Sequence, residues 1–91
     1  MPKKVSSAYE LVILEWEDIS TDSGWQGEND IMSAKCAKCI SVGYLLDISK
    51  TQIMLATGYA NDEDVMDITC YPRGAVKKII YVNTRRKKNE I

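Results

Sequence analysis

Hydrophobic positions along this chain fall into short runs divided by turn residues. Tyr9-Glu10-Leu11-Val12-Ile13-Leu14-Glu15-Trp16 is rich in β-branched and aromatic side chains and too short for a stable helix, so it predicts a first strand. Cys39 to Ile48 carries apolar residues at 40, 42, 44, 46 and 48, a period of two that predicts a second strand with that set on its buried face. Gln52 to Tyr59 alternates again at 53, 55 and 59, and the intervening Ser49-Lys50-Thr51 makes the pair a hairpin. Met66, Ile68 and Cys70 share one face of a fourth strand that ends at Tyr71. Pro72-Arg73-Gly74 breaks the chain, and Ala75 to Val82 predicts a fifth strand with Lys77 and Lys78 toward solvent.

Between the first two strands, Glu17 to Lys35 is polar and holds Gly24, Gly27 and Asn29, which predicts a long loop with a short helical turn near 28–34. Loops longer than about 12–15 residues are uncommon in small domains and are often functional. Ala60 to Val65 reads as an acidic turn. The expected fold is therefore all-β: a small, five-stranded Sm-like or SH3-like barrel with one long loop between strands 1 and 2. Closure hides the strand edges that would otherwise recruit other chains, and pairing between copies hides the rest, so a homo-oligomer is expected. The domain spans residues 9–83, between a flexible N-terminus at 1–8 and a basic flexible tail at 84–91.

Charge and composition narrow the function. The 91 residues have a net charge of -1, but residues 1–72 hold twelve acidic and five basic side chains, while residues 73–91 hold one and seven. Nucleic-acid binding proteins are usually basic overall, because phosphate neutralisation dominates their affinity. Here only the C-terminal end offers a basic patch. No apolar run is long enough to span a bilayer or to form a secretory leader, so no membrane association and a place in the cytoplasm where the chain is made are expected. Three cysteines and no histidine argue against a disulfide framework and remove the commonest general base and metal ligand.

Asp18, Ser20 and Asp22 are spaced like the start of a calcium loop, yet glycine comes one residue late and Asn29 stands where the closing glutamate belongs, so no metal is expected. The same side chains form turns by bonding nearby backbone N–H groups; alternatively Asp22, Ser23 and adjacent amides grip a polar ligand. Trp25, in a polar loop, is either a lid over the barrel end or a stacking surface. Cys36 and Cys39 have metal-knuckle spacing but lack further ligands, so Cys39 reads as a buried small hydrophobe. Arg73, between Pro72 and Gly74, offers a guanidinium and backbone N–H groups to a phosphate or carboxylate; a solvated turn is the plainer reading. Without a nucleophile beside a base, paired carboxylates or a metal, no enzyme is expected, and no cofactor.

Trp16-Glu17-Asp18-Ile19 with Asp22-Ser23-Gly24-Trp25, Cys39-Ile40-Ser41-Val42-Gly43-Tyr44-Leu45 and Pro72-Arg73-Gly74-Ala75-Val76-Lys77 resembles a family of short phage and prophage proteins. The second half also resembles the Sm-like fold, through Gly43-Tyr44-Leu45 with Asp47 and Arg73-Gly74 with Val76 and Ile79. The Ser49–Gln52 turn lacks the Met-Asn pair with which Sm rings read a base, so RNA binding does not follow from this resemblance. Together these resemblances imply a non-catalytic phage accessory protein that binds a small anionic, nucleotide-like ligand and sequesters a host defence signal. Trp25 or Tyr44 would stack a base, and Arg73, Lys77, Asp22 and Ser23 would hold polar groups. The alternatives are an Sm-like ring that binds RNA or single strands, and an adaptor that blocks a host protein through the acidic first half.

Overall fold

A computed structural model describes residues 9–61 and 63–82. The expected flexible ends, at 1–8 and 84–91, lie outside the described residues. Seven strands form: β1 (Leu11–Asp18), β2 (Ala37–Ile48), β3 (Gln52–Ala56), β4 (Gly58–Ala60), β5 (Asp64–Met66), β6 (Thr69–Pro72) and β7 (Val76–Tyr81). A six-residue helix, α1 (Glu28–Ser33), interrupts the long loop, and a 3-10 turn at Arg73–Ala75 joins β6 to β7. No described helix is long and apolar enough to cross a membrane. The fold is all-β, as the periodicity predicts.

Five strands make one antiparallel sheet in the order β6-β3-β2-β1-β7, and β4 pairs with β5 in a small ribbon. That ribbon corrects the expected third and fourth strands. Gln52 pairs with Pro72 and Gly58 with Met66, so one register runs through both ladders and they form a single bent hairpin. The bend lies at Thr57 and Asp67. Asp67 adopts a left-handed φ of 54°, which aspartate tolerates better than most residues. Its carboxylate accepts the Thr57 hydroxyl at 3.0 Å, and the Thr57 N–H donates to the Met66 carbonyl at 3.0 Å.

The sheet is open rather than a closed barrel, with β6 and β7 as its edges. It is nevertheless strongly curled. Five flat strands would hold their outer members roughly 19 Å apart, at about 4.8 Å per spacing. A three-residue 3-10 turn with a rise of about 2 Å per residue spans roughly 8 Å, so the edges must bend toward each other where Pro72 leads into Val76. Trp16 on β1 and Tyr71 on β6 belong to strands three spacings apart, yet their ring centroids lie 5.1 Å from each other. Two irregularities promote the bend: the β1–β7 register shifts between Glu15 and Trp16, and the β2–β3 register skips Leu46. Closure stops because β6 is only four residues long and ends in Pro72, which has no N–H for a closing ladder.

The concave side holds the core. Val12, Leu14, Ile53, Leu55 and Tyr71 are buried there, with Trp16, Leu45, Val76 and Ile79 packed against them. Trp16 is held in place by a bond as well as by packing, its indole N–H donating to Ser41 Oγ at 2.9 Å. Trp16→Phe is expected to lower stability by about 1–2 kcal/mol, since it removes this bond and thins the contact with Tyr71. Urea unfolding followed by circular dichroism measures the loss, and an unchanged midpoint would contradict it.

The face of β2 is reversed from expectation over its first half. Of the apolar set at 40, 42, 44, 46 and 48, Ile40 is 70% and Val42 60% exposed and Ile48 is exposed too, whereas Leu46, which the β2–β3 register skips, is buried. The alternate residues Cys39, Ser41 and Gly43 pair with the core-facing Trp16, Leu14 and Val12. Small residues on β2 leave room for large ones from β1 and β3. A β-carbon on Gly43 would sit 2.9 Å from the Ala56 carbonyl oxygen, so no larger residue fits that close approach.

Candidate functional site

Two features combine at one end of the sheet. The first is the segment that leaves β1 after Asp18 and returns at Ala37. Every residue from Asp18 to Lys38 is exposed, so the segment stands clear of the core as an arm. Local bonds shape it. The Asp18 carboxylate accepts the Ile19 N–H at 2.8 Å, and Ser20 Oγ donates to the Lys35 carbonyl at 2.7 Å, tying the two stems together. Gly24 turns the chain with φ 98°, a conformation that favours glycine. The Asp30 carboxylate accepts the Gly27 N–H at 3.0 Å at the start of α1. The turn-forming reading accounts for the bond at Asp18, whereas Ser20 bonds a carbonyl across the arm and not a nearby N–H group.

The second feature is the convex face of the sheet. Facing residues on β2, β1 and β7 form rows across it: Val42–Ile13–Ile80 is apolar, and Ile40–Glu15–Lys78 is mixed. Next toward the arm comes Lys38 opposite Glu17, and Lys77 reaches Glu17 at 3.8 Å. At the far end, Tyr59 of the bent ribbon packs edge-on against Tyr44 at 5.0 Å and Tyr9 at 5.6 Å, covering that part of the face. Ile40 and Val42 have no such cover.

The six residues singled out by sequence do not converge in one copy. Asp22, Ser23 and Trp25 lie on the arm. Trp25 is 102% exposed, which excludes the lid alternative and leaves a free aromatic surface. Tyr44 pairs with Leu11 at the opposite end of β1 from the arm, so it stands apart from Trp25. Arg73 opens the 3-10 turn, and its N–H is already donated to the Thr51 carbonyl at 2.8 Å. Lys77 is exposed beside Glu17. Lys77 and the stems of the arm share one end of the sheet; Tyr44 does not.

Among the described residues two clefts lie at the arm, and neither is cationic. One, of about 540 Å³, lies within the arm, where Asp22 and Asp30 outnumber Lys35. The other, of about 400 Å³, lies at the arm's base between Glu15, Glu17, Lys38, Ile40 and Lys77, where acids and lysines balance. A phosphate in either would face carboxylates that offset the lysines. Among the described residues no group of three or more potential metal ligands comes together. Cys39 is half-buried on the Trp16 side of β2, while Cys36 and Cys70 are exposed and free.

The apolar strip of exposed Ile40 and Val42 with half-buried Ile13 and Ile80 is not among the sites the sequence suggests. Its signal was the unbroken Leu11-Val12-Ile13-Leu14 run and the adjacent Ile79-Ile80, since a strand apolar on successive residues carries apolar surface on both faces. No family model, curated protein or solved structure matches this chain.

Proposed function

We propose that this protein is a non-catalytic adaptor that binds another protein through the arm at residues 19–36. One observation carries the reading. The arm exposes Ile19, Trp25, Ile31 and Met32 together, although it buries nothing of its own. An aromatic anchor ringed by smaller apolar groups is the usual composition of a binding hot spot. Asp22, Glu28 and Asp30 lie among these residues, which favours a partner surface carrying lysine or arginine. The resemblance to short phage proteins accords with such an accessory role toward a host-cell protein.

The curl of the sheet supports an Sm-like or SH3-like reading of the scaffold, because a turn holding Arg73 and Gly74 links the two edges. For a nucleotide-like ligand stacked on Trp25 or Tyr44, Trp25 is the bare ring while Tyr44 is packed edge-on against Tyr59, and the carboxylates in the two clefts near the arm offset the lysines that would hold its phosphates.

The test places a photo-crosslinking phenylalanine analogue at position 25, in the full chain expressed in a bacterial host. The expected result is a discrete adduct that is missing when the analogue replaces the exposed Lys50 instead. Absence of any adduct from position 25 would overturn the adaptor reading.

A further inference from the structure

The convex strip is an apolar surface without a partner, and the arm is an apolar segment without one. From their chemistry we infer that they are partners for each other between two copies: the arm of one protomer lies across the Ile13, Ile40, Val42 and Ile80 strip of a second. This rests on the proposed role of the arm in binding protein and names its partner.

Three observations support the pairing. The strip is bordered at the arm end by Lys38, Lys77 and Lys78 against Glu15 and Glu17, a net positive margin. The arm carries Asp22, Glu28 and Asp30 against Lys35, a net negative one. The charges of arm and margin are therefore complementary.

Area favours arm on strip over strip on strip. Three strands and two rows outline a strip of roughly 10 by 7 Å, at about 4.8 Å between strands and about 6.6 Å between like-facing residues. That falls well short of the roughly 800 Å² per partner typical of a stable complex, so two strips pressed together would bury too little. An arm laid on each strip adds both surfaces of the contact and seats Trp25 and Ile31 beside Val42 and Ile40. Position supplies the third argument. The arm leaves β1 beside the charged margin of the strip, so two copies facing across a two-fold axis can exchange arms reciprocally.

The experiment measures the mass of the purified full chain by light scattering after size exclusion, for the wild type, Trp25→Ala and Val42→Glu, and for the two variants mixed. Both positions are exposed, and circular dichroism confirms that each variant keeps its sheet. A dimeric wild type is expected, with each variant shifted at least tenfold toward monomer. The mixture should regain a one-to-one dimer, because an intact arm on one variant meets an intact strip on the other. A dimer that survives Trp25→Ala, or a mixture that stays monomeric, would overturn the inference. The adduct from position 25 separates the two readings. An adduct at twice the chain mass supports both. An adduct with a foreign protein beside a monomeric wild type removes the self-pairing and leaves the adaptor, and no adduct with a monomeric wild type removes both.

Discussion

Leu14→Ala is expected to lower the unfolding free energy by about 3 kcal/mol, within the roughly 2–5 kcal/mol typical of such truncations. Leu14 is fully buried at the centre of the curled sheet, flanked by Ser41 on β2 and Ile79 on β7. The penalty has two parts, the lost transfer energy of the removed carbons and the cavity left behind. Ser41 is too small to fill that space, and its hydroxyl is held by the Trp16 indole, so collapse around the hole is limited. Chains of this length have roughly 5–14 kcal/mol of stability in total. A midpoint lower by roughly 10–20 °C should follow in thermal unfolding monitored by circular dichroism. A shift of only a degree or two would place the centre of the core elsewhere.

Gly43→Ala should cost about 2 kcal/mol by the opposite mechanism, overpacking, which typically costs about 1–3 kcal/mol. The new methyl would lie 2.9 Å from the Ala56 carbonyl oxygen and 3.2 Å from Leu55 Cβ. Neither neighbour is a flexible chain end. Ala56 pairs with Tyr44 and Leu55 with Leu45, so retreat would open the β2–β3 ladder beside the skipped Leu46. A gain of about 0.4–1 kcal/mol from stiffening the unfolded chain offsets part of the penalty. Gly74→Ala is the control, because nothing lies within 4 Å of its added carbon. Urea titrations should show a lower midpoint for Gly43→Ala and little change for Gly74→Ala. Equal midpoints for the two variants would contradict the close approach at Gly43.

Much of the architecture was legible in the residues. The runs at 9–16, 39–48 and 75–82, the Ser49–Thr51 turn, the long polar loop and its helical turn near 28–34 all follow from local alternation and turn chemistry, which act within a few residues. The break at Thr57 and Asp67 was not legible, because a left-handed aspartate inside an alternating pattern changes the direction of the strand without changing its periodicity. The candidate site was legible only in part. Trp25 on an unusually long polar loop read as either a lid or a stacking surface, and the structure leaves it bare. Tyr44 and Arg73 were chosen by residue type, and type carries no information about distance: Tyr44 packs edge-on against Tyr59 while the Arg73 backbone N–H is tied to the Thr51 carbonyl.

By itself, the sequence determined that this protein is built from short antiparallel strands with one exposed loop, since alternation, β-branching and glycine or proline turns are properties of neighbouring residues. Only the tertiary structure decided which side of each strand is inside. Ile40 and Val42 are more apolar than Cys39, Ser41 and Gly43, yet they face solvent. The concave side of a curled sheet has little volume, and Trp16, Leu14 and Leu55 fill it only where β2 offers small side chains. Packing volume is set by strands distant in the sequence, so the curl assigned the larger residues to the convex face and left them available to a partner.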